Sequence, residues 1–306
     1  MVDKFKFKFD IYQRRFKQPL RTSHGLWQIR EGIIISLEDS TGIAQGEIAP
    51  LPSFGSETMS QALSFCQQLG DTVKVQDIFS ISDRLRCCQF AFESALLNLK
   101  QPLGLANYTN RNLDYCYLLP AGELALTSWQ SIYQAQSNST FKWKIGVYPL
   151  ATEIEILKQL VKSFPAHIKL RLDANGGLNL TQAKTWLAVT DQLPAIEFVE
   201  QPLPPDCFTE ILKLSQEYNT RIALDESVAS FEKLQQAYKQ KWRGVFVIKA
   251  AIMGFLSRIE EFCTSNSLDI VLSSVFETKV ARSAAIDLAH RLNHPRAVGF
   301  GIDHFY

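Results

Sequence analysis

The sequence predicts an α/β protein: a (β/α)8-type barrel of modified TIM-barrel form, preceded by an N-terminal α+β capping domain. Three observations carry this. From about residue 112 short apolar runs alternate with helical stretches eight times. Charged residues recur at the C-terminal ends of those runs. The first hundred residues follow a different order, strands first and helices after.

The N-terminal part begins with KFKFKFDIY, whose period of two fits a half-buried antiparallel strand. GLWQIREGIIISLEDSTGIAQGEIAPL reads as two strands joined by a turn at Asp39-Ser40-Thr41-Gly42. SETMSQALSFCQQLG and ISDRLRCCQFAFESALLNLK follow as helices. The barrel strands are DYCYLLP, TFKWKIGV, HIKLRLDAN, IEFVEQPL, RIALDES, GVFVIKA, DIVLSS and RAVGFGID. Helical segments such as LTQAKTWLAVTDQL, FEKLQQAYKQ, FLSRIEEFCTSN and VARSAAIDLAHRL separate them. A doubly wound open sheet is the competing arrangement, yet no G-x-G-x-x-G follows any strand. The expected division is residues 1–105 for the cap and 106–306 for the barrel.

Composition narrows the function classes. Hydrophobic residues are 46% and charged residues 21% of the 306, an ordinary globular balance. The formal net charge of +1, with no basic run, argues against a nucleic-acid partner. No apolar stretch approaches the ~20 residues that span a bilayer, so no membrane partner is expected. The opening MVDKFKFKFDIYQRRF lacks an apolar signal core, and the protein is expected in the cytoplasm, or in a plastid-stroma-like compartment as a mature form. Six scattered cysteines show no C-x-x-C pair and read as buried, reduced thiols. Oligomeric state is not legible.

Barrel strands are buried on both faces and normally read as apolar throughout. Here Lys142, Lys144, Asp173, Glu200, Asp225 and Lys249 break that rule near strand ends. From Lys144 onward the spacings are 29, 27, 25 and 24 residues, one β/α unit each. The C-terminal strand ends of a barrel converge on one mouth, so these groups are expected to meet. Period-two geometry places Lys142 beside Lys144, and Arg171, Asp173 and Asn175 together. Three carboxylates from adjacent strands make an oxygen-only pocket suited to Mg²⁺ or Mn²⁺. Lysines on the two flanks can address a metal-bound substrate from either side. A lysine base has to be partly neutral near pH 7, below its free value of ~10.4, and burial, a neighbouring ammonium and a dication all push that way. The alternative for the set, lysine–carboxylate bridges around a barrel mouth, satisfies the charges without chemistry.

The motifs K-W-K at 142–144, R-L-D-A-N at 171–175, E-Q-P at 200–202, L-D-E-S at 224–227 and V-I-K at 247–249 resemble the enolase superfamily, and within it the muconate-lactonizing subgroup. Lysine-or-histidine bases with Mg²⁺ stabilising an ene-diolate are that superfamily's described chemistry. The resemblance spans nearly the whole chain. P-L-R-T-S-H-G at 19–25, Arg30-Glu31-Gly32 and A-P-L-P-S-F-G-S-E-T at 49–58 are similar to the o-succinylbenzoate synthases of the cyanobacterial and plastid kind. There the first and last of these would be mobile capping loops that close over the mouth, with Ser23 and Gly25 touching substrate. S-S-V-F-E at 273–277 resembles the segment that receives a succinyl carboxylate, which implicates Ser273 and Ser274; Glu277 could instead cap the following helix.

The resemblance implies dehydration of 2-succinyl-6-hydroxy-2,4-cyclohexadiene-1-carboxylate to 2-succinylbenzoate, a step of menaquinone and phylloquinone biosynthesis. Asp173, Glu200 and Asp225 would hold Mg²⁺, with Mn²⁺ as a substitute and no organic cofactor. Lys144 would be the base, then the acid, and Lys249 the stabilising cation. Lys142, Arg171 and Asn175 would support the bound substrate. Dipeptide epimerases of the subgroup carry an aspartate pair near the last strand, where this chain offers Asp303 alone. N-acylamino-acid racemisation by the same five residues remains open, muconate cycloisomerisation is a weaker fit, and a catalytically silent scaffold is the alternative outside enzymes.

Overall fold

In the computed structural model, residues 4–22, 25–100, 113–136, 139–293 and 295–301 are described. The capping sheet holds β1 (Lys4–Thr22), β2 (Gly25–Asp39), β3 (Gly42–Ile48) and β4 (Thr72–Lys74), antiparallel in the order β3-β2-β1-β4. Period-two patterning does what it predicts: Phe5 and Phe7 are buried between exposed Lys4, Lys6 and Lys8. The inner face continues through Ile33, Ile35 and Leu37, all fully buried. Three helices belong to this domain, α1 (Met59–Gln68), α2 (Val75–Phe79) and α3 (Arg86–Lys100). Thr58 and Gln61 start α1 with a reciprocal capping box, each satisfying the other's backbone amide.

Two details differ from the sequence expectation. β4 and α2 were not foreseen; three and five residues are too short for a readable period. The segment 19–25, expected as a mobile loop, is strand up to Thr22 and again from Gly25, which pair with each other. A register shift between Arg15 and Leu20 lets the ribbon continue past Pro19, since a bulge needs no amide from proline.

Helix α3 lies directly against β3 at Gly46. A Cβ there would come within 2.0 Å of the Ala91 carbonyl oxygen, a backbone atom that cannot step aside. Gly46→Ala is therefore expected to lower stability by about 1–3 kcal/mol, the cost of overpacking a fitted interface. Urea unfolding measures it, and an unchanged midpoint would refute the close contact.

The barrel strands are β5 (Tyr115–Leu118), β6 (Thr140–Lys144), β7 (Lys169–Asp173), β8 (Ile196–Glu200), β9 (Ile222–Leu224), β10 (Val245–Ile248), β11 (Ile270–Leu272) and β12 (Val298–Gly301). All eight sit where the apolar runs place them. They pair in parallel, β5 to β11 in chain order, with β12 returning beside β5. Among the described residues the remaining seam between β11 and β12 closes through one bridge, Ser273 to Gly299. Helices α4 (Ala125–Gln136), α5 (Leu150–Ser163), α6 (Leu180–Thr190), α7 (Phe208–Glu217), α8 (Phe231–Lys239), α9 (Leu256–Ser265) and α10 (Lys279–Leu292) follow the first seven strands. After β12 no helix lies among the described residues.

Inside the barrel Phe198, Ala223, Val245, Val247 and Val271 form a separate apolar plug. Toward the N-terminal strand ends Arg296 joins Glu197 (2.5 Å) and Asp269 (2.6 Å). Cap and barrel meet chiefly along α3, which packs on α9, α10 and the turn Ala250–Ile252. There the buried Glu93 accepts from the Ser257 hydroxyl (2.6 Å) and amide (3.2 Å), satisfying the first turn of α9. The expected boundary at 105/106 falls in 101–112, outside the described residues. All six cysteines are free thiols, five of them buried. Among the described residues no helix is long and apolar enough to cross a membrane.

Candidate active site

A cavity of about 520 Å³ opens at the C-terminal ends of the barrel strands and runs up to the cap. Lys142, Lys144, Arg171, Asp173, Asn175, Glu200, Asp225, Lys249, Ser273 and Ser274 all line it. The strand order explains the meeting. β6, β7, β8, β9 and β10 are consecutive neighbours, and each delivers its charged residue at its last position or just beyond. The two lysine-bearing strands thus flank the three carboxylate-bearing ones.

The carboxylates are almost fully buried and tied to ammonium groups. Lys142 Nζ stands between Asp173 Oδ2 and Glu200 Oε1, 2.8 Å from each. Lys144 Nζ is 3.4 Å from Asp173 Oδ2 and also donates to Asn175 Oδ1. Lys249 pairs with Asp225. Among the described residues no three acidic, histidine or cysteine side chains converge closely enough to ligate one ion as they stand. The Lys142 ammonium occupies the point where Asp173 and Glu200 face each other.

These environments push the carboxyls apart. Burial acts to raise Asp173, but Lys142 and Lys144 outweigh it and hold the group well below the usual range. Glu200 is raised, by burial first, and the charges of Asp173 and Asp225 add to this against the opposing pull of Lys142. Asp225 is raised by burial, which Lys249 only partly offsets. For Lys142 burial works against the charged form, and Asp173, Glu200 and Asp225 overcome it to keep the ammonium far above its ordinary value.

Two neighbours went unnoticed in the sequence. Glu226, directly after Asp225, lines the same cavity; Asn175 Nδ2 donates to its Oε1 (3.1 Å), while its Oε2 is buried without a partner. Burial raises this carboxyl too. Gln201, fully buried, accepts from the Asp225 and Ser227 amides (3.0 Å each), so it fixes the backbone that carries Asp225. The D-E and E-Q pairs in the motifs were the available signals. Asn175 adopts φ 45, a left-handed position asparagine tolerates, which turns its amide back to the Asp173 carboxylate (3.0 Å).

The donor chemistry fits a divalent ion. Four carboxylates, Asp173, Glu200, Asp225 and Glu226, face three ammonium groups in one buried pocket. That concentration of carboxyl oxygen, with one oxygen unpartnered, suits a hard dication.

The remaining candidates separate by their partners. Arg171 lies in the floor with its guanidinium on Glu197 (2.6 Å) and 5.0 Å from the Phe198 ring. Ser274 Oγ donates to Glu277 Oε2 (2.7 Å) and accepts from the Phe276 amide (2.8 Å). The amides of Ser273, Ser274 and Val275 are also bonded, to Ile248, Gly299 and Glu277. Ser273 lines the cavity beside Gly299. Glu277 folds back onto its own turn instead of capping α10. Ser23, with His24 and Asp303, lies outside the described residues, and only the backbone of Gly25 is described, at the start of β2. From the cap, the turn Pro52–Phe54 enters the cavity and sets the Phe54 ring 4.6 Å from Lys249 Nζ. Lys249 is 9% exposed beneath that ring, whereas Lys144 is 30% exposed toward the opening.

Comparison with known proteins agrees with this geometry. A family profile described as "Enolase C-terminal domain-like" matches residues 126–305, and one described as "MenC, N-terminal domain" matches 12–99. The o-succinylbenzoate synthase of Thermosynechococcus vestitus is 39% identical over 97% of this chain and 92% of its own length. The chain belongs to the o-succinylbenzoate synthase family of the enolase superfamily. Its fold matches the crystal structure of the family member from Thermosynechococcus elongatus BP-1, complexed with Mg in the active site. That match has a TM-score of 0.91 and 38% identity, over 98% of this chain and 94% of the other. The L-Ala-D/L-Glu epimerase of Bacillus subtilis shares the fold at TM-score 0.83 and 22% identity, over 98% and 90% of the two chains. Family membership thus rests on both domains, not on the barrel motifs alone.

Proposed function

We propose that this chain is a Mg²⁺-dependent o-succinylbenzoate synthase, dehydrating 2-succinyl-6-hydroxy-2,4-cyclohexadiene-1-carboxylate to 2-succinylbenzoate for menaquinone or phylloquinone synthesis. We place it in the cytoplasm, a reducing setting in keeping with its free thiols. The observation that carries the reading is the cavity in which Lys144 and Lys249 flank Asp173, Glu200 and Asp225. The o-succinylbenzoate synthases named above support the same reaction.

Asp173, Glu200 and Asp225 would hold the metal, with Glu226 close by. Bound there, the ion would supply Lewis-acid stabilisation of negative charge on a substrate carboxylate. Lys142, shared by Asp173 and Glu200, keeps these two oriented. Lys144, the more open lysine, takes the proton alpha to the carboxylate. It then returns that proton to the hydroxyl leaving from the same face, so that C–H and C–O bonds break, water departs and the ring becomes aromatic. Lys249 stays protonated on the opposite flank and stabilises the charge spreading into the ring, with a cation–π component of the kind Phe54 already makes. Ser273, in the cavity wall, would receive the distal carboxylate.

The purified protein with Mg²⁺ is expected to convert the cyclohexadiene acid to 2-succinylbenzoate, followed by ultraviolet absorbance. Absence of turnover with metal present would sink this reading and favour a silent scaffold. Exchange of ²H into an N-acyl amino acid without dehydration would favour a racemase.

A further inference from the structure

Glu47 belongs to the capping sheet, but most of its hydrogen bonds are to the barrel. It lies in β3, fully buried, and accepts from the Thr278 amide (2.8 and 3.0 Å), the Thr278 hydroxyl and the Ala281 amide (3.1 Å). The Tyr12 hydroxyl of β1 holds the same carboxylate from the cap side (2.6 Å). Thr278 is the N-cap of α10, a helix of 14 residues, so a cap side chain satisfies amides at the start of a barrel helix. These bonds are charge-assisted and desolvated, the strong kind.

What Thr278 anchors is the far wall of the cavity. The turn between β11 and α10 carries Ser273 and Phe276, both facing the cavity. Phe276 sits at φ 60, a strained position for a bulky side chain, and such strain persists only where the surroundings over-determine it. Glu277 and Ser274 hold the turn from within. From the cap, Phe16 and Trp27 pack edge-on against the Phe276 ring at 5.6 and 5.5 Å. Glu47 supplies the polar half of that grip.

We infer that Glu47 is a positioning residue for the reaction. By fixing Thr278 it sets the wall bearing Ser273 and Phe276 relative to Lys144 and Lys249, and thereby how the substrate's distal carboxylate is received. The inference rests on the dehydratase reading for its substrate. Glu47 acts through Thr278 and touches no reacting atom. Glu93 provides the contrast, since it joins cap to barrel at α9 in the same manner but bonds no residue of this wall.

The test combines steady-state kinetics with hydrogen exchange of the 273–281 segment in the Mg²⁺-loaded protein. Glu47→Gln is expected to raise KM about tenfold, keep kcat within about threefold and increase exchange at 273–281. Thr278→Val is expected to match it, and Thr278→Ser, which retains the hydroxyl, to restore wild-type KM. Both keep the question answerable if Glu47→Gln fails to fold. Glu93→Gln is expected to lower Tm with KM unchanged. An unchanged KM in folded Glu47→Gln or Thr278→Val, or an equal rise in Glu93→Gln, overturns the inference. Should the wild type show no turnover, the dehydratase reading fails instead. The exchange data then decide alone: unaltered protection at 273–281 overturns the anchor, and increased exchange upholds it.

Discussion

Lys144→Ala is expected to lower kcat by about two to four orders of magnitude, the usual worth of a positioned proton-transfer group. The same substitution is expected to abolish exchange of the substrate's alpha proton with solvent. Geometry supports assigning proton transfer to this lysine. It is the more exposed of the two flanking lysines, and it is held in place by Asp173 and Asn175. Lys249 is covered by Phe54 and paired to Asp225, an arrangement suited to a fixed cation. Lys249→Arg is accordingly expected to keep a trace of turnover that Lys144→Arg does not, because arginine preserves charge but serves poorly as a base. Stopped-flow absorbance and deuterium exchange by mass spectrometry give both quantities. Near-normal kcat in Lys144→Ala would assign the base elsewhere.

The second large effect concerns the carboxylates. Asp173→Asn, Glu200→Gln and Asp225→Asn are each expected to cost about a hundredfold or more in kcat/KM, since losing several kcal/mol of charge stabilisation has that consequence. Chelation of the wild type is expected to abolish turnover, and added Mg²⁺ or Mn²⁺ to restore it. Asp173→Asn is expected to be the most severe of the three. That carboxylate alone among them serves two lysines and the Asn175 amide, so its loss disturbs the lysine arrangement along with the ion. Isothermal titration with Mg²⁺ separates lost affinity from lost chemistry. Full activity in excess chelator would remove the metal from the mechanism.

The barrel was legible in the sequence because burial on both faces forces β-branched and aromatic runs such as VFVI, and each charged exception stood out against them. The positions of Lys144, Asp173, Glu200, Asp225 and Lys249 at one mouth follow from that contrast. Glu226 escaped because it follows a residue already noticed, in a turn where no period holds. Glu47 escaped for a different reason. In GIAQGEI the alternation assigns Ala44, Gly46 and Ile48 to the inner face, which leaves Glu47 on the outer one. That outer face is covered by the start of α10, a contact between residues 231 positions apart that no local pattern encodes. The 19–25 segment, whose small polar residues and glycine suggested a capping loop, is paired strand up to Thr22 and from Gly25, with a register shift before Leu20 that no local pattern announces.

The seam of the barrel has a consequence for how the molecule assembles. β11 and β12 join through the Ser273–Gly299 bridge, and β12 is held on its other edge by β5, with Val298 opposite Tyr115. Ser273 is therefore both a wall of the cavity and the point where the ring of strands closes. The pairing of β12 with β5, between opposite ends of the barrel sequence, carries a high loop-closure entropy and forms slowly. Strands β5 to β11 can accumulate one neighbour at a time, whereas the closing contact waits for residues 298–301. Ring closure therefore completes the cavity wall that carries Ser273. Regained activity during refolding is accordingly expected to follow the docking of residues 298–301.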